Sequence, residues 1–389
     1  MFILCLNLEG YADTSIIVNL SDILVFESGR NLMNVAMIGA GSWSSRHVEA
    51  WQACGANITV LYNRTRPRAE RLAKEYGIAE ITQDWREAIN RPDIDIVSVS
   101  MPNNLHYEIS MAAIEAGKHV FCEKPLAMNF VEAKAMWVAA RDKGIKTGMQ
   151  FNPRYDPGWL KIKDLIKSGY IGDLRHLELN FATDAFANPS LPMMWRFDYS
   201  VSGTGALGDL GVYMIDIARW IAGDFQSVSG MLRTYVSERQ VIPDEYDMFE
   251  VFAMGRKGNA PITGETALVD NDDEAIFLAK FKNGATGQIK ASRVNADPVT
   301  KFLGSEGVLM RNPHTMQLVV KRIGEKEFSE IDVPPADSHL NIVRHMYDNI
   351  INDTDLGPNF YDGKQQQAVI DAVVRSDAER RWVDVSEFE

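Results

Sequence analysis

From Met33 onward, short apolar runs recur at intervals that a helix fills. Residues 34–39, 57–62, 94–100, 119–122 and 146–151 read as strands, with helices over 46–54, 66–76, 105–116 and 129–143 between them. The run Ile94-Asp95-Ile96-Val97-Ser98-Val99-Ser100 is β-branched, as suits a strand buried on both faces. Parallel strands need long crossover connections, so this alternation predicts a parallel, doubly wound α/β sheet over 33–152. Beyond residue 152 the rhythm changes. Segments 174–183, 227–236, 274–281, 287–292 and 317–322 read as strands of a large, mostly antiparallel open sheet. Lys282-Asn283-Gly284 supplies a hairpin turn. Long helices are predicted at 205–222, 339–352 and 364–381, giving an α+β portion over 153–389.

Composition narrows the function class. A chain of 389 residues suits two domains. Its 40 Lys and Arg against 53 Asp and Glu leave a net charge of −13, which repels a polyanion and argues against nucleic acid as partner. The apolar runs fall far short of the ~20 residues that span a bilayer, so no membrane partner is expected. Cys5, Cys54 and Cys122 lie too far apart for a disulfide scaffold and suit a reducing, cytoplasmic compartment. His176, His314, His339 and His345 show no metal-ligand spacing, and no metal site is expected. Residues 1–32 precede the pattern and lack the charge and cleavage features of a signal peptide. They read as an added β-rich segment, a ragged tail, or translation from a start upstream of Met33, the last being favoured.

The first strand runs into Gly39-Ala40-Gly41-Ser42-Trp43-Ser44, a G-x-G-x-x-S turn before a helix. Gly39 permits the tight turn, and Gly41 lets backbone approach a pyrophosphate at the helix N-terminus. Ser44 is small enough for close helix–strand packing. In this strand–turn–helix context the motif points to a dinucleotide site that includes Ser42 and Trp43. The second strand ends Tyr62-Asn63-Arg64-Thr65, without the acid that would bind a ribose 2′-hydroxyl. Arg64 and Thr65 instead suit a 2′-phosphate, so NADP is expected over NAD. The alternative is that Arg64 stacks on the adenine and NAD binds without an acidic partner.

Two further runs make the chain recognisable. Met101-Pro102-Asn103-Asn104-Leu105-His106 and Glu115 through Pro125, ending Cys122-Glu123-Lys124-Pro125, resemble the Gfo/Idh/MocA oxidoreductases. The resemblance continues through Asn152-Pro153-Arg154, Trp195-Arg196 and Gly205-Ala206-Leu207-Gly208-Asp209-Leu210-Gly211, and reaches Phe360-Tyr361-Asp362-Gly363 and Arg381-Trp382-Val383. It implies a Rossmann domain, a nicotinamide cofactor and a carbohydrate substrate. It also implies a homodimer or homotetramer built through the open sheet.

The same resemblance assigns roles. Lys124 would be the catalytic lysine, aimed into the cleft by a cis peptide to Pro125. Glu123 would orient Lys124 or nearby backbone. Pro102, Asn103 and His106 would line the nicotinamide ribose, although His106 could be an ordinary helix-start histidine. Family members commonly carry Asp-x-x-x-His where this chain has Asp209 and Tyr213. Four residues apart on a helix, the two share a face. Tyr213 would act as the base if Lys124 depresses its pKa. Otherwise Tyr213 packs, and Lys124 with Asp209 carries the proton. Asp216 returns to the same face. Arg154, Tyr155, Trp195 and Arg196 are candidate substrate contacts.

The expected activity is hydride transfer between NAD(P) and a secondary alcohol, ketone or hemiacetal carbon of a sugar, polyol or glycoside. Alternatives are an enzyme that cycles a tightly held cofactor, as a sugar–sugar oxidoreductase or an oxidative glycosidase, and a non-catalytic dinucleotide-binding sensor or repressor.

Overall fold

The computed structural model describes residues 32–388 apart from positions 244, 245, 247, 259, 313 and 314. The readings of the 1–32 segment and of His314 therefore lie outside the described residues. The first sheet has six parallel strands in the order β3-β2-β1-β4-β5-β6. They are β1 (Asn34–Ile38), β2 (Asn57–Tyr62), β3 (Glu80–Thr82), β4 (Ile96–Val99), β5 (His119–Cys122) and β6 (Thr147–Met149). Val35 to Ile38 and Val97 are fully buried, as the apolar runs require of central parallel strands. The strand order reverses between β1 and β4, and such a switch point opens a ligand crevice at the strands' carboxyl ends.

The second sheet is also as expected in kind and larger than the sequence suggested. Its strands are β7 (Leu174–Ala182), β8 (Phe225–Arg233), β11 (Glu274–Phe281), β12 (Thr286–Ser292), β13 (Val299–Gly304), β14 (Gly307–Arg311), β15 (Leu318–Arg322), β16 (Ser329–Ile331) and β17 (Val383–Asp384). The order is β16-β15-β14-β13-β7-β12-β11-β8-β17, antiparallel except where β7 meets β12. Along β11, Ala275, Phe277, Ala279 and Phe281 are buried while Leu278 and Lys280 point outward. The helices Val212–Ala222 and Phe360–Glu379 pack against this sheet at β7 and β8. A separate pair, β9 (Glu238–Gln240) with β10 (Thr266–Leu268), stands beside a small apolar cluster of Phe186, Leu191, Phe197, Val251 and Val269.

Late elements return to the first sheet. The helix Ser338–Ile351 packs on Ser44–Ala53. Beside edge strand β6, Thr147 Oγ1 accepts the Phe360 N–H at 3.1 Å and Pro358 O accepts that of Met149 at 3.2 Å. The last helix starts four residues before the expected Lys364, because Asn359 and Asp362 form a reciprocal capping box. A larger departure concerns 205–222. The chain first makes a π-helical turn, Leu207–Gly211, and only then the α-helix Val212–Ala222. Asp272 accepts the N–H groups of Gly205 at 2.6 Å and Leu207 at 2.8 Å, which anchors the chain just before and at the wide turn. Asp209 therefore sits on irregular backbone, a frequent trait of functional sites.

Among the described residues no helix is long and apolar enough to cross a membrane.

Candidate active site

A cleft of about 660 Å³ opens at the strand ends of the first sheet and is lined on its far side by residues that include Met193, Trp195, Val201, Asp209, Val241 and Met248. The glycine turn forms one wall. Gly39 has φ +117°, and a Cβ there would lie 2.1 Å from the Ser100 carbonyl oxygen, so the turn tolerates no side chain. Gly41 behaves oppositely. A Cβ there would meet nothing within 4 Å, which leaves its backbone open to the cleft. Ser44 Oγ accepts the Gly41 N–H at 3.0 Å and lies 3.2 Å from Ser100 Oγ, so the serine in the third glycine's place pins the turn to β4. Ser42 and Trp43 line the cleft, and Trp43 stacks on His339 at 5.9 Å. These features fit a dinucleotide pyrophosphate: a bare backbone approach beside a helix N-terminus.

At the end of β2, Asn63 lines the cleft, but its amide is committed to the protein. Its Oδ1 accepts the Ala40 N–H at 3.1 Å and its Nδ2 donates to Thr65 O at 2.9 Å. Asn63 thus braces the turn while it lines the cleft. Arg64 and Thr65 line the cleft as expected, joined by Arg68, which the sequence reading missed. Arg68 lies in the first turn of the helix Arg66–Tyr76 that follows Arg64 and Thr65, a position that could have revealed it.

At the inner end, Lys124 precedes a cis peptide to Pro125, as expected. Its Nζ donates to Asp209 Oδ1 at 2.8 Å and to Asp209 O at 2.6 Å. An ammonium has three N–H groups, so one is left without a protein acceptor among the described residues. Arg196 Nε lies 3.4 Å from Asp209 Oδ2 and is buried without a hydrogen-bond acceptor among the described residues. Burial would raise the Asp209 carboxyl, but Lys124 and Arg196 hold it well below the usual carboxylate range. Trp195 carries the Arg196 guanidinium 4.4 Å from its ring centroid, and both residues line the cleft.

Tyr213 joins Lys124 in an unexpected way. The ammonium lies 4.8 Å from the centroid of its ring, over the π face. Burial, with the Glu123 and Asp209 carboxylates, pushes the phenol well above its ordinary value. The expectation that Lys124 depresses it is overturned, and a phenol so raised is a poor base.

Three other expectations are corrected. His106 is fully buried, with Nδ1 2.8 Å from Pro125 O and Nε2 2.9 Å from Met101 O. It ties the two motif loops together and does not line the cleft. Arg154 is buried against Asp216 at 2.6 Å and Asp362 at 3.1 Å, so its guanidinium serves a structural ion-pair cluster and not substrate. Tyr155 packs on His345 in the same region. Asn103 lines the cleft but donates to Ser202 O at 2.7 Å, joining the two walls, while Pro102 lines the cleft as expected. Glu123 accepts the Lys124 backbone N–H at 3.1 Å, which matches its expected orienting role.

A glycine turn with open backbone, a basic β2 end and a buried lysine–carboxylate pair at the inner end define a dinucleotide-dependent oxidoreductase. The oxidoreductase family with an NAD-binding Rossmann fold matches residues 33–151, and the Gfo/Idh/MocA C-terminal domain matches 159–310. The chain belongs to the Gfo/Idh/MocA oxidoreductases. Levoglucosan dehydrogenase of Pseudarthrobacter phenanthrenivorans is 31% identical, over 92% of this chain and 99% of that protein. A structure of levoglucosan dehydrogenase in complex with NADH and L-sorbose superposes with a TM-score of 0.82, at 31% identity over 92% of this chain and 99% of that one. Two Bacillus subtilis relatives differ in cofactor. The scyllo-inositol 2-dehydrogenase (NADP(+)) is 26% identical over 81% of this chain and 86% of its own, and the scyllo-inositol 2-dehydrogenase (NAD(+)) is 27% identical over 74% and 77%.

Proposed function

We propose that this protein is an NADP-dependent dehydrogenase that moves hydride to or from a secondary CH–OH carbon of a sugar, polyol or anhydrosugar. The observation that carries the reading is that Lys124, held at its Nζ by Asp209, lines the glycine-turn cleft. Gly39, Gly41, Ser42 and Trp43 would hold the pyrophosphate, and Arg64, Thr65 and Arg68 the 2′-phosphate. When bound, the nicotinamide supplies the hydride acceptor or donor. Lys124 binds the reacting oxygen through its remaining N–H. In the reducing direction the ammonium gives that oxygen a proton as hydride reaches the carbon, and in the oxidising direction the amine takes the proton back. Asp209 holds Lys124 at both its carboxylate and its carbonyl, which fixes the reacting nitrogen in one place. Arg196, which lines the cleft beside Asp209, offers its guanidinium to neighbouring hydroxyls, and the Trp195 ring offers an apolar face. The named substrates of the relatives support a carbohydrate or cyclitol.

The test is a panel of anhydrosugars, sugars and inositols with NADP⁺ and with NAD⁺, followed at the reduced-nicotinamide absorbance band. Reduction by at least one member, faster with NADP⁺, is expected. A protein that binds dinucleotide yet reduces it with no member of the panel would be a sensor, and the proposal would fail.

A further inference from the structure

Behind Lys124 a chain of buried polar groups runs in one direction. Trp51 Nε1 donates to Ser98 Oγ at 3.1 Å, Ser98 Oγ lies 3.0 Å from His47 Nδ1, and His47 Nε2 lies 3.1 Å from Glu123 Oε1. An indole nitrogen can only donate. Ser98 Oγ therefore accepts from Trp51 and holds His47 Nδ1 on its other side. The Glu123 carboxylate can only accept, so His47 Nε2 carries a hydrogen and donates it to Oε1. The other carboxylate oxygen, Oε2, accepts the Lys124 backbone N–H at 3.1 Å. Trp51, Ser98 and His47 are 0–1% exposed, and the Phe121 ring packs edge-on against both His47 and Trp51. The chain ends at an indole that can accept nothing, so it cannot relay protons. It acts as a polarity lock.

What it locks is a carboxylate at the inner end of the cleft. The Glu123 side chain is 12% exposed and lines the cleft beside Lys124. Burial would raise its carboxyl, but the His47 hydrogen bond, with His47 and Lys124 nearby, holds it below its ordinary value. Asp209 is shared between Lys124 and Arg196. Glu123 differs, because its hydrogen-bond donors among the described residues are an imidazole N–H and a backbone N–H. We infer that the carboxylate of Glu123, held by the Trp51–Ser98–His47 chain, makes the site prefer the oxidised cofactor, whose nicotinamide ring is cationic, over the reduced one, whose ring is neutral. Glu123 is the specificity-determining group and His47 a positioning residue. The inference rests on the proposed function, which puts the hydride-transfer end of the dinucleotide at Lys124.

Fluorescence titration with NADPH and its displacement by NADP⁺ give the two dissociation constants without turnover. Glu123→Gln should weaken NADP⁺ relative to NADPH by about 5- to 50-fold, the scale of one charge acting over several ångströms at intermediate dielectric. His47→Leu removes the donor to Glu123 and should shift the ratio the same way by less. His47→Gln, whose amide N–H can replace Nε2–H, should return it toward wild type. A role confined to packing would move both constants together. An unchanged ratio in Glu123→Gln overturns the inference. If that variant does not fold, an unchanged ratio in His47→Leu does the same. A wild-type protein that binds neither NADP(H) nor NAD(H) would instead overturn the proposed function, and the inference with it.

Discussion

Lys124 Nζ is bonded twice to Asp209, at 2.8 Å to its carboxylate and at 2.6 Å to its main-chain carbonyl. Asp209 lies within the π-helical turn Leu207–Gly211, and its main-chain carbonyl is within reach of Lys124 there. Side chain and backbone of one residue thus orient the Lys124 nitrogen, and removing that nitrogen removes the proposed acid–base group. Lys124→Ala should lower turnover by at least ~100-fold, the low end for loss of such assistance. Nucleotide affinity, read by fluorescence titration, should stay near wild type, because the pyrophosphate and adenosine contacts lie elsewhere in the cleft. Comparable turnover in the variant would remove Lys124 from the chemistry.

Tyr213 separates two mechanisms. Its ring supports the ammonium from below, and its phenol is raised by burial and by the Glu123 and Asp209 carboxylates. Tyr213→Phe keeps the ring and deletes the hydroxyl. Turnover within about threefold of wild type is expected, since loss of a true acid–base group costs ~100-fold or more. A collapse as deep as that of Lys124→Ala would restore the tyrosine as base.

The proposed preference for NADP is assigned to Arg64, Thr65 and Arg68, which line the cleft at the end of β2. Loss of a charge-assisted hydrogen bond costs ~1.5–3 kcal/mol, or roughly 10- to 150-fold in affinity. Arg64→Ala should therefore weaken NADP⁺ by that factor and NAD⁺ by little, and Arg68→Ala should act in the same direction. Equal losses for both nucleotides would mean that Arg64 stacks on the adenine they share.

These assignments show where the sequence was legible. The glycine turn, the Lys124-Pro125 bend and the cleft-lining positions of Arg64, Thr65, Trp195 and Arg196 could be read because strand ends and turns are set by local backbone demands. Arg154 was misread because its partners, Asp216 and Asp362, lie 62 and 208 positions away. Nothing local distinguishes a guanidinium facing a cleft from one facing a buried carboxylate. His106 was misplaced because its imidazole lies between the carbonyls of Met101 and Pro125, which belong to two different motif loops. The π-helical turn has no periodicity signal of its own. Strands of two or three residues, such as β3, β16 and β17, are too short for alternation to show.

Assembly is proposed through the open face of the nine-stranded sheet. On adjacent strands Met231 and Leu278 are 50% and 49% exposed, flanked by the ion pair of Lys301 with Glu178. A mixed apolar and charged face of this kind suits a second copy of the chain. Light scattering should give a dimer or tetramer at micromolar concentration, and Leu278→Asp should lower the mass. A monomeric wild type would defeat the proposal.

The Arg154 cluster should matter to stability and not to substrate. Asp216 accepts from Arg154 at 2.6 and 2.8 Å, and Asp362 is shared between Arg154 and Arg219. Arg154 is 6% exposed and Asp216 2%, so Asp216→Ala leaves a buried guanidinium short of its closest counter-charge. Breaking a buried pair from one side costs ~3–5 kcal/mol, and urea unfolding should show a loss of that size with little change in KM. The pH response has a definite sign. Burial would raise the Asp362 carboxyl, but Arg154 and Arg219 hold it below its ordinary value. A carboxyl lowered on folding contributes stability that is present above its unfolded pKa and is lost as pH falls through the folded one. In wild type this contribution should therefore survive at neutral pH and fade below the ordinary carboxylate range. Arg154→Met removes the charge and keeps apolar bulk, so its stability should depend less steeply on acid pH than that of wild type. An equal acid slope in the two proteins would show that Asp362 does not depend on Arg154 for its charge. A large rise in KM would place Arg154 at the substrate after all.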